Sequence, residues 1–241
     1  MKLNTLSMVF AILVLTACPS RKKTDVEENI FNRGERIKTG FVWEKSEVSF
    51  DEIIADRQLV KVFKDDFNRE ELGENYTVQG GDWKIVDGKV VSKKAENRNL
   101  VLSGFDLPQN GVVKLKMKSM SDFVDIKFNV WGDGGVHDHG DGYSFILGGW
   151  KNRVSVISKQ HEHEKNRFED RKTRLEPNKD YHVKVVRKGK EIYWFVNDSL
   201  FLVYYDESPL RTENGFNKFS FGNWRSHVKF DDLEIYEFSG E

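Results

Sequence analysis

The feature that most restricts the fold of this 241-residue chain lies between Val62 and the C-terminus. There, short runs of alternating apolar and polar residues are separated by residues typical of tight turns. Asp87-Gly88 separates the runs at 83–86 and 89–91. An Asp-Gly pair supplies the positive φ angles that a two-residue hairpin requires. Many runs of this kind, with no convincing long helix, predict an all-β domain built from two stacked antiparallel sheets.

The first apolar run of the chain ends in Leu15-Thr16-Ala17-Cys18, and Cys18 is the one cysteine in the sequence. The run is shorter than the about 20 apolar residues that span a bilayer, so it is typical of an export signal. These four residues resemble the lipobox of bacterial lipoproteins, which implies cleavage before Cys18 and lipid attachment to its sulfur. The alternative is an ordinary secretory signal with a chance cysteine.

The resemblance to lipoprotein signals implies an address in the bacterial cell envelope. Pro19 follows the cysteine in place of the Asp of enterobacterial inner-membrane retention signals, which favours the outer membrane. We therefore expect a signal peptide at 1–17, a lipidated tether at 18–40 and a lead-in segment at 41–61. The lead-in contains a candidate short helix capped near Ser49, and the β-sandwich occupies 62–241.

Charge and composition exclude some classes of partner. The chain has 38 basic and 39 acidic residues, interspersed, and a formal net charge of −1. Binding to nucleic acid requires a one-signed basic surface, so nucleic acid is an unexpected partner. Once Cys18 is lipidated no thiol remains, so packing has to stabilise the domain without disulfides. We expect a monomer.

Strand parity separates a core face from a polar face in the run 124–131. Val124, Ile126, Phe128 and Val130 alternate with Asp125, Lys127, Asn129 and Trp131. The second set is interpreted as a ligand-facing surface, and the alternative is the solvated side of an outer strand. Two further tryptophans lie beside Gly or Asn at strand ends, where exposed indoles can stack on sugar rings. The candidate ligand-binding residues are Asp125, Asn129, Trp131, Trp150, Arg153 and Trp224.

A glycine-rich segment at 132–142 and the following 161–164 hold four of the six histidines: His137, His139, His161 and His163. The segment is predicted to loop over one end or rim of the sandwich. The histidines have three interpretations: metal ligands, acid–base groups near Asp138 or Glu164, or surface polar residues. The four histidines are therefore candidate catalytic residues, and all three interpretations stay open.

Four segments, at 65–69, 81–90, 142–152 and 230–236, together resemble concanavalin A-like lectin/glucanase domains. Within that group they are most similar to exported bacterial 3-keto-disaccharide hydrolase-type domains. The resemblance implies a jelly-roll sandwich whose concave sheet commonly holds glycans. It does not by itself assign an activity, because one fold hosts many functions.

The same resemblance implies a structural calcium, with the side chain of Asp232 and the carbonyl of Gly88 as candidate ligands. No other cofactor is expected. The alternative is that Asp231 and Asp232 form a bulge or a surface ion pair. The Glu-x-Asp-x-Glu strand motif of lichenase-type glucanases on this fold is absent, which disfavours hydrolysis by a carboxylate pair.

Three functional hypotheses follow. The first is a lipid-anchored envelope protein whose sandwich binds a glycan or polysaccharide, with the membrane as its second partner. The second is a glycoside hydrolase or lyase of the keto-sugar type that uses the histidine-rich loop. The third is a non-catalytic adhesion lipoprotein.

Overall fold

The structure is a computed structural model that describes residues 40–41, 48–93 and 95–240. The signal peptide, Cys18 and the tether before Gly40 lie outside the described residues, so their predicted roles stay predictions. Within the described part of the chain, no helix is long and apolar enough to cross a membrane.

The described part of the chain contains sixteen strands, one short right-handed helix, a four-residue helical turn at Gly149–Asn152 and a 3-10 turn at Thr212–Asn214. The helix is α1 (Phe50–Ile54). The strands are β1 (Gly40–Phe41), β2 (Leu59–Asp65), β3 (Tyr76–Val78), β4 (Lys84–Val86), β5 (Lys89–Ser92), β6 (Leu100–Leu102), β7 (Gly111–Ser119), β8 (Ile126–Gly132), β9 (Tyr143–Gly148), β10 (Val154–Lys159), β11 (Phe168–Asp170), β12 (Asp180–Lys188), β13 (Glu191–Val196), β14 (Ser199–Tyr205), β15 (Lys218–Asn223) and β16 (Val228–Phe238).

The strands form two antiparallel sheets. The back sheet has nine strands in the order β1-β14-β13-β12-β7-β16-β5-β4, with β2 also paired to β16. The front sheet has seven strands in the order β11-β10-β9-β8-β15-β6-β3. The main apolar core lies between the two sheets and takes side chains from both. The predicted two-sheet sandwich is therefore confirmed.

Alternation along β7 shows why the sheets stack. Val113, Leu115 and Met117 are buried in the core between the sheets, and the intervening Lys114 and Lys116 are more exposed. A strand with one apolar and one polar face buries the first and solvates the second. The hairpin predicted at Asp87-Gly88 is also present: it joins β4 to β5, with φ angles of 52° and 67° at the two turn residues.

The helix predicted near Ser49 is present as α1. Ser49 is its N-cap and forms a capping box with Glu52. Phe50 and Ile53 pack with Phe195 and other apolar side chains in a smaller cluster apart from the main core. Leu59 belongs to β2, and β1 pairs with β14, so parts of the lead-in segment are strands of the back sheet.

The prediction that Trp131 faces the ligand surface is wrong. Trp131 is 1% exposed and lies in the core, where its indole donates a hydrogen bond to the Pro108 carbonyl at 2.8 Å. Between the pairs Lys218–Gly132 and Ser220–Asn129 the register of β8 against β15 shifts, so β8 contains one extra residue. Trp131 has φ 54° there. A bulge of this kind reverses the strand parity, which turns Trp131 inward.

We predict that Trp131→Ala destabilises the protein by about 3–5 kcal/mol, because it leaves a large cavity in the core. Denaturant unfolding of the purified protein measures this. Trp224→Ala is the matched control: Trp224 is 41% exposed, so its truncation changes the unfolding free energy by about 0.5 kcal/mol or less. Equal effects of the two substitutions would contradict the core position of Trp131.

Candidate functional site

A cavity of about 810 Å³ lies at one end of the central strands of the front sheet, where β8 begins. Strands β9 and β15 flank β8 and are antiparallel to it, so both end where β8 begins. Ile126, the first residue of β8, pairs with Leu147 on one side and with Asn223 on the other. The residues that follow these two strand ends include Trp150 and Trp224, and both tryptophans line the cavity. The remaining lining residues are Asn97, Asp122, Phe123, Asp125, His139, Ile146, Lys151, Glu162, His163 and Arg225.

Trp150 lies in a tight turn, Gly149–Asn152, whose backbone is left-handed. Trp150, Lys151 and Asn152 have φ angles of 51°, 62° and 58°. Each non-glycine residue in this region costs about 1–2 kcal/mol, so surrounding contacts have to hold the turn. The Asn152 side chain does so by bonding both the carbonyl and the N–H of Leu175, at 2.7 and 3.0 Å.

The indole of Trp150 has polar neighbours that fix its position. The Arg167 guanidinium lies 4.7 Å from its ring centroid, a cation–π distance, and the His163 ring meets it edge-on at 5.6 Å. Trp224 is held differently. It is partly exposed, and the Arg225 guanidinium lies 5.0 Å from its ring. Both aromatic side chains are thus presented at the cavity by local contacts rather than buried in the core.

Asp125 lines the cavity beside the first residue of β8. Its backbone N–H donates to the Gly148 carbonyl at 3.1 Å, which places it between the ends of β8 and β9. Burial raises the pKa of Asp125 to about 7, and the charge of Glu162 acts in the same direction, while Lys127 opposes both. Asp125 therefore changes its charge near neutral pH.

Lys127 and Glu162 form a buried ion pair beside the cavity. Lys127 follows Asp125 by two residues on β8, and its side chain is 2% exposed. Its ammonium donates to Glu162 Oε2 at 2.8 Å and to Asn97 Oδ1 at 3.3 Å. Since a buried ammonium without a partner is strongly unfavourable, this pair ties the segment around Glu162 to the sheet.

Three of the four candidate histidines meet at the cavity. The ring of His139 lies 4.6 Å from that of His161 and 5.5 Å from that of His163. Glu162 Oε1 is 4.0 Å from His139 Nδ1 and 3.5 Å from His163 Nε2. The ligand atoms of His139, Glu162 and His163 all lie within 4.8 Å of one another, close enough to hold a metal ion. Burial is the main factor that lowers the pKa of His163.

His137 does not join the other three histidines. Its Nε2 lies 2.8 Å from Asp133 Oδ1, and this hydrogen bond raises the pKa of the imidazole. Asp141 completes this second group, and its two carboxylate oxygens accept the backbone N–H groups of Asp133 and Gly134. The group therefore stabilises the glycine-rich loop itself.

The glycine-rich loop covers part of the polar face of the front sheet. Its His139 carbonyl accepts the Glu162 N–H at 2.7 Å. At Gly140 a Cβ would lie 2.4 Å from Ser144 Oγ, so only glycine fits this approach. Asn129 faces the side predicted from strand parity, but it is fully buried and bonds to Ser144 and Ser220.

Arg153 lines a separate cavity of about 410 Å³ beside Trp150, together with Arg167 and Arg171. It therefore adjoins the main cavity without lining it. Of the predicted ligand-binding residues, Asp125, Trp150 and Trp224 line the main cavity.

Of the two predicted calcium ligands, Gly88 lies in the hairpin turn between β4 and β5, and the side chain of Asp232 has another partner. The register of β16 shifts between Asp231 and Glu234, and Asp232 has φ 48° within this bulge. Asp232 Oδ2 lies 2.6 Å from the Lys116 ammonium, and Asp231 pairs with Lys89. These are the bulge and the surface ion pairs given above as the alternative. Calcium binding itself stays a prediction.

Neither Glu162 nor Lys127 is among the candidate site residues predicted from the sequence. Each had a weak signal: Glu162 lies between His161 and His163, and Lys127 lies between Asp125 and Asn129 on one strand face. Only contact across the fold gives them their roles, because 35 positions separate the two residues of the ion pair.

No protein-family model matches the sequence, and no curated protein matches it. Solved structures do match the fold. The carbohydrate binding module CBM66 from Bacillus subtilis aligns with a TM-score of 0.54 and 14% identity, over 68% of this chain and 96% of the module. SCLam, a non-specific endo-β-1,3(4)-glucanase of family GH16, aligns with a TM-score of 0.55 and 9% identity, over 83% of this chain and 95% of the enzyme.

A third match is a laminarinase from Flavobacterium sp. UMI-01, with a TM-score of 0.52 and 15% identity, over 74% of this chain and all of the enzyme. At these identities the matches show the fold alone. The chain is a concanavalin A-like jelly-roll sandwich, the fold that these carbohydrate-binding and glucanase structures share.

We predict that Asp125→Asn raises the melting temperature relative to the parent protein more at pH 8 than at pH 5. The folded-state pKa of about 7 lies above the unfolded value of about 3.9, so the parent loses stability as pH rises between them. Asparagine does not titrate. The difference in melting temperature grows by roughly 3 °C or more over this range, measured by calorimetry with EDTA present.

Asp122→Asn is the control for this experiment, because Asp122 lines the same cavity but is exposed. Its difference from the parent stays small at both pH values. A constant difference for Asp125→Asn across the range would contradict the raised pKa.

Proposed function

We propose that the protein binds a glycan in the main cavity, at the end of the front sheet where β8 begins. One observation carries the proposal: Trp150 and Trp224, which follow the ends of two strands on either side of β8, line one cavity together with buried polar groups. Aromatic faces with a few fixed polar groups suit sugars, whose rings have apolar faces and hydroxyl edges.

The polar groups of the cavity complement sugar hydroxyls. Asp125 and Glu162 are acceptors, Asn97 can accept or donate, and Lys151 and Arg225 are donors. The volume of about 810 Å³ lies within the range typical of small-ligand sites and suits a short oligosaccharide.

The strained turn at Trp150 also supports binding. Three successive left-handed non-glycine residues are unfavourable for folding, and strain of this kind clusters at functional sites. The matched structures supply the class of ligand to test first: their names describe a carbohydrate binding module, a non-specific endo-β-1,3(4)-glucanase and a laminarinase.

The proposal includes the cellular address. A lipid on Cys18 would hold the domain at the bacterial envelope, most simply in the outer membrane, with the intervening polar segment as a tether. A binding domain held in this way would retain polysaccharide at the cell surface or in the periplasm.

A second candidate function, glycoside cleavage, is favoured by Asp125. A carboxyl group that titrates near neutral pH, in a cavity shared with His139 and His163, has the properties of a general acid or base. Keto-sugar chemistry would be one such reaction. The absent lichenase motif makes binding without turnover the better supported function.

We predict that the purified protein binds soluble β-1,3-glucan or mixed-linkage β-1,3(4)-glucan saturably, and that Trp150→Ala and Trp224→Ala each weaken binding at least about tenfold. Loss of a central aromatic contact removes this much binding energy. Isothermal calorimetry, with a glycan array for other sugars, makes the measurement.

Tyr205→Ala is the matched control for these variants, because Tyr205 is a half-buried aromatic residue on the back sheet, away from the cavity. Its binding stays at the parental level. No binding to any glycan by folded protein would overturn the proposal. Release of new reducing ends during incubation would move the assignment from binding to cleavage.

We predict that Cys18→Ala moves the protein from the membrane fraction to the soluble fraction or blocks its processing. The thiol is the proposed lipid attachment point, and no other cysteine can replace it. Fractionation and metabolic labelling with an alkyne fatty acid measure this in the bacterial host. Fatty-acid labelling that persists in the variant would contradict the anchor.

A further inference from the structure

We propose that His139, Glu162 and His163 hold a divalent transition-metal ion of the zinc type at the wall of the cavity. Two imidazole nitrogens and one carboxylate oxygen form a ligand set found in catalytic zinc sites, which keep a further position open. The three ligand atoms converge within 4.8 Å from two loops that are separate in the sequence.

The distances suit such an ion after small side-chain rotations. Two ligands of a tetrahedral zinc ion, each about 2.0–2.2 Å from the metal, lie about 3.3–3.6 Å apart. Glu162 Oε1 is already 3.5 Å from His163 Nε2 and 4.0 Å from His139 Nδ1. The side chains of His139 and His163 are 49% and 46% exposed, so neither has to move through the packed core.

The carboxylate of Glu162 is already oriented for this role. Lys127 binds Oε2, which directs Oε1 toward the two imidazoles. The backbone is fixed as well: the Glu162 N–H donates to the His139 carbonyl at 2.7 Å, and Arg167 donates to the Glu162 carbonyl at 2.7 Å. Hydrogen bonds of this kind orient metal ligands and strengthen the site.

The two histidines keep their ring nitrogens available. In the described part of the chain, neither His139 nor His163 makes a side-chain hydrogen bond to another protein group, and Glu162 is their nearest acidic partner. The second cluster differs. At Asp133, His137 and Asp141 the carboxylates already accept hydrogen bonds from backbone N–H groups of the loop and from His137.

All three proposed ligands line the main cavity, so a molecule bound in the cavity could reach an ion held there. Its remaining positions would take water or, if the cavity binds a glycan as proposed above, a sugar oxygen. That last step rests on the proposed function. The metal site itself does not, since it depends only on the three side chains and their supports.

The experiment uses the full-length protein without a histidine tag, and every variant carries Cys18→Ala because a free thiol binds zinc. After EDTA treatment and its removal, Co²⁺ is titrated and followed by visible absorption, and Zn²⁺ then competes. We expect one equivalent of Co²⁺ with a spectrum of nitrogen and oxygen ligation, displaced by Zn²⁺. An equal concentration of Ca²⁺ does not displace it.

His139→Ala and His163→Ala are each expected to weaken Zn²⁺ affinity by more than about 100-fold, beyond the effect of losing a supporting hydrogen bond. His137→Ala is the matched control from the same loop and keeps parental affinity. Glu162→Gln is less informative alone, because it leaves the buried Lys127 without its partner charge. Thermal unfolding without metal verifies that each variant is folded.

No stoichiometric binding by the folded parent protein would overturn the site. Parental affinity in His139→Ala and His163→Ala, or loss of binding in His137→Ala, would also overturn it by placing the metal elsewhere. The titration contains no glycan, so its outcome is independent of the glycan-binding test. Metal binding without glycan binding would support the metal site and contradict the proposed function.

Discussion

The candidate site depends on the buried ion pair between Lys127 and Glu162. The Lys127 side chain is 2% exposed, and an ammonium buried in this way would be strongly unfavourable without a partner. Glu162 supplies the charge, and its segment is thereby held against the front sheet. The Glu162 N–H donates to the His139 carbonyl, and His163 is the residue after Glu162. The charge requirement of Lys127 therefore positions the whole histidine cluster. Removing one partner of such a pair is strongly destabilising, because the other charge is then buried without compensation.

Strand β8 connects the core to the site. Ile126 and Phe128 face the other sheet, and Lys127 and Asn129 face the loops, so one strand builds both surfaces. The bulge before Gly132 then changes the parity and sends Trp131 into the core. Without the extra residue, a large indole would lie beneath the glycine-rich loop, where Gly140 already approaches Ser144 too closely for any side chain.

The accuracy of the sequence-based predictions followed the range of the interactions involved. Local rules predicted the Asp87-Gly88 hairpin and the Ser49 helix cap, and both are observed. Trp131 was misplaced because parity assumes an unbroken register. The four histidines could not be separated, because the partner of each is set by contacts between loops that sequence spacing does not encode.

The sequence by itself determined the class of fold and the surface that is available for function. Period-two alternation and turn residues act over a few positions, and they suffice to specify antiparallel strands with a core face and a polar face. Only the tertiary structure decided which polar residues meet. Trp150 and Trp224 come together because β9 and β15 both end where β8 begins. His139 meets Glu162 because the buried Lys127 holds Glu162 against the sheet, where the Glu162 N–H donates to the His139 carbonyl. These juxtapositions depend on strand order and burial, which are properties of the whole chain rather than of any segment.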